Sequence, residues 1–271
     1  ASRTPLEEIL QIFEASVKAG AERLVFADTV GFLRPLSMRY MIARVRTGLR
    51  KLVRKRVPLS VRCYNDFGLA TANTLAAIEK GIEYPQTSVA GFGERAGLAP
   101  FEEVVMALEV LYNMDTDISV KKLYRLGQVT EKSFASPMPF HKPIVGENAF
   151  SHASERHIHG MLAHPLIYEP FLPTKIGRET TFYIGKQIGR NILETRLSLA
   201  GIKANPRQIN EIYSIISKQR ERLDKGEMLM TFYQIKKLIK EMQKGLTDED
   251  FWRIVEQVTR QKPKPMPKIK K

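Results

Sequence analysis

The sequence predicts an α/β chain of parallel strands alternating with helices, followed by a mostly helical C-terminal region. Three observations predict it. Up to about residue 112 short apolar runs alternate with segments of helical periodicity, polar residues collect just after each run, and beyond residue 200 the spacing is helical.

The elements follow in order. Thr4-Pro5-Leu6-Glu7 is a helix start in which Thr4 would cap, Pro5 fits the first turn and Glu7 completes a capping box. Ile9, Ile12, Phe13 and Val17 then share one face to about Lys18, and Gly20 ends the segment. Leu24-Val25-Phe26-Ala27 reads as a short buried strand running into Asp28-Thr29-Val30-Gly31. Ser37 is expected to open a basic helix, Pro58 to Cys63 to form a second strand, and Ala70 to Lys80 a helix broken by Gly81. Gln86 to Ala90 is expected as a third strand entering Gly91-Phe92-Gly93, and Phe101 to Tyr112 as the next helix. Residues 117–172 are rich in proline and read as less regular, with all five histidines after Phe140. Asn205-Pro206-Arg207-Gln208 then starts a helix carrying Ile209, Ile212, Tyr213 and Ile216, and Thr247 to Asp250 cap a last one carrying Phe251, Trp252, Ile254, Val255 and Val258. Gln261 to Lys271 alternates Lys and Pro and reads as an unfolded basic end. The expected domains are therefore 1–115, 116–200, 201–260 and the tail 261–271.

Composition bounds the function. With 271 residues and 43% apolar content the chain can bury a core. A single cysteine excludes an intrachain disulfide or a multi-cysteine zinc module and fits a reducing compartment, so a cytoplasmic location is expected. The sequence has no run of 18 apolar residues and does not open on a signal-like segment, so no membrane is expected as partner. The net charge of +14 raises nucleic acid, but the fourteen cations of residues 38–56 and 260–271 account for all of it. The body of the chain is neutral, and an anion- or RNA-binding role through the basic helix and tail is the third-ranked reading.

Polar residues at strand ends, Asp28-Thr29, Tyr64-Asn65-Asp66 and Glu94-Arg95, lie where ligands bind in parallel α/β folds, or else cap the following helices. His152, His157, His159 and His164 match no metal spacing with a known mechanism; an acid or base role for one of them fits better, with Tyr168 in the same segment. Gly91-x-Gly93-x-x-x-Gly97 misses the dinucleotide spacing by one residue and offers close backbone approach. Cys63, at a strand end with no histidine at a catalytic spacing, reads as a buried structural thiol.

The stretch Leu59-Ser-Val-Arg-Cys-Tyr-Asn-Asp-Phe-Gly-Leu-Ala, with Asp28-Thr-Val-Gly, Gly91-Phe-Gly-Glu-Arg-Ala-Gly, Glu102-Glu-Val-Val, Lys142-Pro-Ile-Val-Gly-Glu-Asn-Ala-Phe-Ser-His, Tyr168-Glu-Pro-Phe and Gly185-Lys186, resembles the homocitrate, isopropylmalate and citramalate synthase family. The resemblance implies a TIM barrel, here its last three βα units, followed by helical subdomains. It also implies enzymes that join acetyl-CoA to a 2-oxo acid on a divalent metal. The 271 residues include no stretch resembling the leucine-sensing domain typical of isopropylmalate synthases, so the homocitrate synthase branch is the expected likeness.

Two departures shape the expectation. The family carries five more strands before this point, and three strands cannot close an eight-stranded barrel. Either another chain supplies the missing strands or these 271 residues are part of a longer one. The family's His-Cys-His-Asn-Asp reads Arg62-Cys63-Tyr64-Asn65-Asp66, and the last Asn of Gly-Glu-Arg-Ala-Gly-Asn is Leu98. A guanidinium cannot be deprotonated to ligate and Leu has no lone pair, so no metal is expected on this chain. By the same resemblance Thr29 contacts the oxo acid, Asn65 and Glu94 are further substrate-binding candidates, and His157 with Tyr168 reach a neighbouring subunit's barrel to assist deprotonation of the acetyl methyl. The family's Gly-Ile before that histidine is Glu155-Arg156, and its Gly-Lys-His-Ser-Gly is Gly185-Lys-Gln-Ile-Gly. The leading expectation is a metal-free, degenerate subunit, inactive alone, in an oligomer whose partner holds the divalent metal and uses acetyl-CoA as co-substrate. A structural or regulatory pseudoenzyme partner of another complex is the alternative.

Overall fold

A computed structural model of the chain describes residues 2–53, 55–183, 190–221, 225–243 and 245–262. Contacts divide it into two compact units, Ala1–Ile192 and Leu193–Lys271. Arg54, Gly185-Lys186 and most of the Lys/Pro tail lie outside the described residues.

The first unit opens α1 (Leu6–Lys18), β1 (Leu24–Asp28), α2 (Pro35–Leu52), β2 (Leu59–Cys63), α3 (Ala70–Ile78), β3 (Tyr84–Gln86) and α4 (Phe101–Val110). The strands form one parallel sheet in the order β1-β2-β3, with Val25 beside Ser60 and Ala27 beside Arg62, and Arg62 in turn beside Gln86. Strand alternation sends Leu24, Phe26, Leu59, Val61 and Cys63 to one face. There they pack with Ile9 and Val17 of α1, Met38, Ile42, Val45 and Leu49 of α2, and Ala76 and Ala77 of α3. The other face presents Val25, Ala27, Arg62, Tyr84 and Gln86; Val25 is 39% and Tyr84 43% exposed. Parallel sheets are normally covered on both faces, so this one is half covered. Arg23 lies over the Tyr84 ring at 3.7 Å, at the end where the strands begin.

Several boundaries differ from expectation. The residue preceding α1 is Pro5, no side chain caps the helix, and Ile9 N–H donates to Pro5 O. Thr4 stands one residue too early to reach the free amides, so neither it nor Glu7 makes the expected box. The basic helix begins at Pro35 rather than Ser37, because a proline at the first position loses no hydrogen bond and sets φ for the turn. The third strand is Tyr84–Gln86, not Gln86–Ala90. Pro85 lacks an N–H, which is tolerated on this edge strand, while Ala90 adopts φ 55° and bends the chain into a short 3-10 turn.

The stretch expected to be irregular contains α5 (Leu123–Ser133), β4 (Ser151–His152) and α6 (Glu155–Ala163), and β5 (Thr181–Phe182) pairs in parallel with β4. A second core of Val105, Met106, Leu123, Phe150, Phe171 and Ile176 ties α4 and α5 to the following segment. Lys142 crosses into it: its Nζ lies 2.6 Å from Glu103 Oε1 and 3.5 Å from Glu102 Oε1.

The second unit follows from within α7 (Arg190–Leu199) and comprises α8 (Pro206–Glu221), α9 (Lys225–Gln243) and α10 (Asp248–Thr259). Both expected start signals are formed. Asn205 and Gln208 exchange backbone-to-side-chain bonds at 2.9 and 3.0 Å, and Thr247 Oγ1 accepts from Asp250 N–H at 3.1 Å. Among the described residues no helix is long and apolar enough to cross a membrane.

Candidate functional site

The loops after the three strands converge at one end of the sheet, and an arginine holds them together. Arg95 donates from Nε to Asp66 Oδ1 at 2.9 Å and from Nη2 to the Thr29 carbonyl at 2.5 Å, and its guanidinium lies 4.7 Å from the Tyr64 ring centre. One side chain thus bridges the ends of β1 and β2 and the loop after β3. The Asp66 carboxyl is held below its usual range, chiefly by the hydrogen bond from Arg95. Gly97 permits this loop to close: it has φ +82°, and a Cβ there would lie 1.9 Å from the Gly91 carbonyl oxygen. Gly97→Ala is therefore expected to destabilise the chain by more than about 2 kcal/mol, read from the midpoint of denaturant unfolding.

Each strand-end residue named from the sequence can now be placed. Thr29 is exposed at the end of β1, and its carbonyl is used by Arg95. Asn65 turns its carboxamide oxygen to the Ala70 N–H at 3.1 Å, at the start of α3, and its own N–H donates to Gly97 O. Glu94 is exposed, 4.0 Å from Arg95. Asp28, fully buried, accepts from the Phe32 and Leu33 amides at 3.2 and 2.9 Å. Of the positions that differ from the resembled family, Arg62 lies on the open face of the sheet and donates to Gln86 Oε1 at 2.8 Å. Tyr64 lies beneath Arg95, and Leu98 pairs with Tyr64 across an isolated bridge. These donors do not fit a divalent metal: a guanidinium hydrogen-bonded to an amide, a phenol under a second guanidinium and an aliphatic side chain present no set of anionic or imidazole ligands. Cys63, between Arg62 and Tyr64, faces the helix side; burial pushes its thiol up to about 12, so it stays protonated at neutral pH and is no nucleophile.

A second cluster stands apart from the strand ends, on the segment containing β4 and α6. His157 of α6 is exposed, and its ring lies 4.2 Å from that of Tyr168 at an interplanar angle of 30°. Tyr168 can lie against α6 because Gly160 is there; a Cβ on that residue would come within 2.6 Å of the tyrosine ring. His152 and Glu169 sit behind this pair. His152 Nε2 is 3.6 Å from Glu169 Oε1, and the His152 and His157 ring centres are 6.3 Å apart. Sequence reading grouped His152 with the other histidines and gave Glu169 no role. The one available signal was that both lie inside quoted motifs, Ser151-His152 and Tyr168-Glu169.

The basic helix is α2. Arg39 pairs with Glu79 at 2.5 Å, Arg46 donates to the Gly81 carbonyl, and Arg44, Arg50 and Lys51 are exposed.

Comparison with known proteins gives the family. The HMGL-like family matches residues 1–130, and the homocitrate synthase post-HMGL domain-like family matches residues 144–224. A 2-isopropylmalate synthase of Methanocaldococcus jannaschii is 38% identical over 95% of this chain and 46% of its own length. A homocitrate synthase of the same organism is 36% identical over 97% of this chain and 59% of its own length. A putative (R)-citramalate synthase of Methanopyrus kandleri is 42% identical over 78% of this chain and 41% of its own length. The chain thus spans about half the length of the curated relatives it matches. Among solved structures, a Bacillus subtilis HMG-CoA lyase is similar over 50% of this chain, at 26% identity and a TM-score of 0.42. The chain, with its HMGL-like and post-HMGL regions in the family's order, belongs to the family of the homocitrate, isopropylmalate and citramalate synthases.

Proposed function

We propose that these residues act as a metal-free component of an acyl-condensing enzyme of this family, in which acetyl-CoA is joined to a 2-oxo acid. The remaining strands and the metal site are contributed from outside the 271 residues. The half-covered parallel sheet carries this reading. Val25, Ala27, Arg62, Tyr84 and Gln86 form a face that further strands would enclose, and a groove of about 190 Å³ beside β1 is lined by Ile9, Ile12, Phe13, Val25 and Thr29. In the assembled enzyme the metal, held by a partner, would polarise the oxo acid. This chain's part is the exposed His157, backed by Tyr168, which takes a proton from the acetyl methyl in a neighbouring barrel. Its exposure supports that role, since an imidazole offered to another subunit must project from its own.

The Arg95 bridge also fits the alternative of a structural or regulatory partner, because it fastens the strand ends to one another instead of leaving them to a ligand. Purification of the tagged chain from its own cells, with identification of co-eluting chains and a thiol-release assay using acetyl-CoA and a panel of 2-oxo acids, separates the two. The proposal expects activity in the assembly and none in the chain alone. An assembly that binds no 2-oxo acid and releases no CoA would leave the structural reading.

A further inference from the structure

The pair behind His157 contains two buried polar atoms, His152 Nε2 and Glu169 Oε2, that have no hydrogen-bond partner among the described residues. Glu169 is 3% exposed, yet among the described residues Oε1 has Thr180 Oγ1 as donor at 2.6 Å and Oε2 has none. His152 Nε2 is likewise buried without a hydrogen-bond partner among the described residues, 3.6 Å from Oε1 of that carboxylate. A buried polar group without a hydrogen bond loses its hydration uncompensated, so a slight approach that joins Nε2 to Oε1 across the 3.6 Å between them is favoured. The joined form places the proton of His152 on Nε2, pointing to Glu169, and leaves Nδ1 as an acceptor.

The chain path explains why this matters for His157. Tyr168 and Glu169 are neighbours in sequence, and one touches His157 while the other touches His152. The parallel pairing of β4 with β5 fixes His152 next to Phe182, and the short turn Pro165–Ile167 brings Tyr168 and Glu169 back against α6. Among the described residues the titratable groups facing His152 are Glu169 and His157, and the two imidazoles meet edge to face at 76°.

We propose that His152 and Glu169 are positioning residues that orient His157 for the condensation, a role that rests on the function proposed above. Burial lowers the basicity of His152, Glu169 partly restores it and His157 opposes it. Burial thus favours the neutral imidazole of His152 beside His157. Glu169 is the group that holds His152 in one tautomer.

The test uses Glu169→Gln, which keeps size and the bond from Thr180, and His152→Asn, each checked for an unchanged melting transition. Histidine-selective NMR titration of the full chain is the first arm. The expected result is that Glu169→Gln moves the His152 titration to lower pH and perturbs the His157 resonances, as does His152→Asn. The second arm is the purified assembly, where both variants should lower kcat about 10- to 100-fold and displace the acid limb of the pH profile, with KM unchanged. Unmoved histidine titrations, or variants as active as wild type with an unchanged pH profile, would overturn the positioning role. If the assembly performs no condensation at all, the functional reading fails while the NMR arm still decides whether the pair is coupled. A variant that unfolds is replaced by Thr180→Val, which removes one donor to Glu169 and should move the His152 titration in the opposite direction, upward.

Discussion

His157→Ala is expected to lower turnover of the assembled enzyme about 100-fold or more while leaving the chain folded and its partner bound. The side chain is exposed, so its removal opens no cavity, and the loss falls on chemistry rather than stability. Tyr168→Phe should cost much less, because the ring that stacks on His157 at 4.2 Å is retained. Mixing wild-type and His157→Ala chains in known ratios tests whether each His157 contributes independently to turnover. Activity proportional to the wild-type fraction, with thermal stability unchanged, is the expected outcome, measured as CoA release. Full activity in assemblies made wholly of His157→Ala would remove the catalytic role.

Lys142→Ala should be the most destabilising single change, by about 3–5 kcal/mol. Glu102 is 1% exposed; its Oε2 accepts from the Ala90 N–H at 2.9 Å, and Lys142 stands 3.5 Å from its Oε1. Removing the ammonium leaves a buried carboxylate without its counter-charge. Burial already raises the Glu102 carboxyl above its usual 4.5, with Lys142 and the nearby amides pulling it back. Because the folded state holds that proton more tightly than the unfolded chain, Glu102 costs stability as pH rises above 4.5, and Lys142 limits the cost. The deficit of Lys142→Ala is therefore expected to be smallest below about pH 4.5 and to grow toward neutrality in urea unfolding series. A deficit that shrinks as pH rises would show that Glu102 is not the group being compensated.

How much of this was legible depended on what kind of signal each element carries. β1, β2 and α3 were read closely because apolar runs bounded by glycine and proline are local signals. β3 was displaced because the run from Gln86 to Ala90 looks more strand-like than Tyr84-Pro85-Gln86; only its place on the edge of the sheet makes Pro85 acceptable. α5 was hidden because its buried side is built from Leu123, Gly127 and Thr130, and a glycine at 127 signals a break unless one knows that Val145 packs against it. The pairing of His157 with Tyr168 was named through the family motifs, not from spacing. The His152–Glu169 contact was not found, since sixteen residues stand between its members and only the turn at Pro165–Ile167 brings Glu169 back toward His152. The roles of Arg95 at the strand ends and of Asn65 at the start of α3 were equally invisible, because a polar residue after a strand looks the same whether it meets a ligand or a neighbouring loop.

The central claim is that this chain serves a synthase without holding the metal, and metal binding tests it most directly. Equilibrium titration of the purified chain with Mn²⁺, followed by its electron paramagnetic resonance, is expected to show no saturable site, while the active assembly takes up metal. One tightly bound equivalent on the isolated chain, displaced by a 2-oxo acid, would contradict the account.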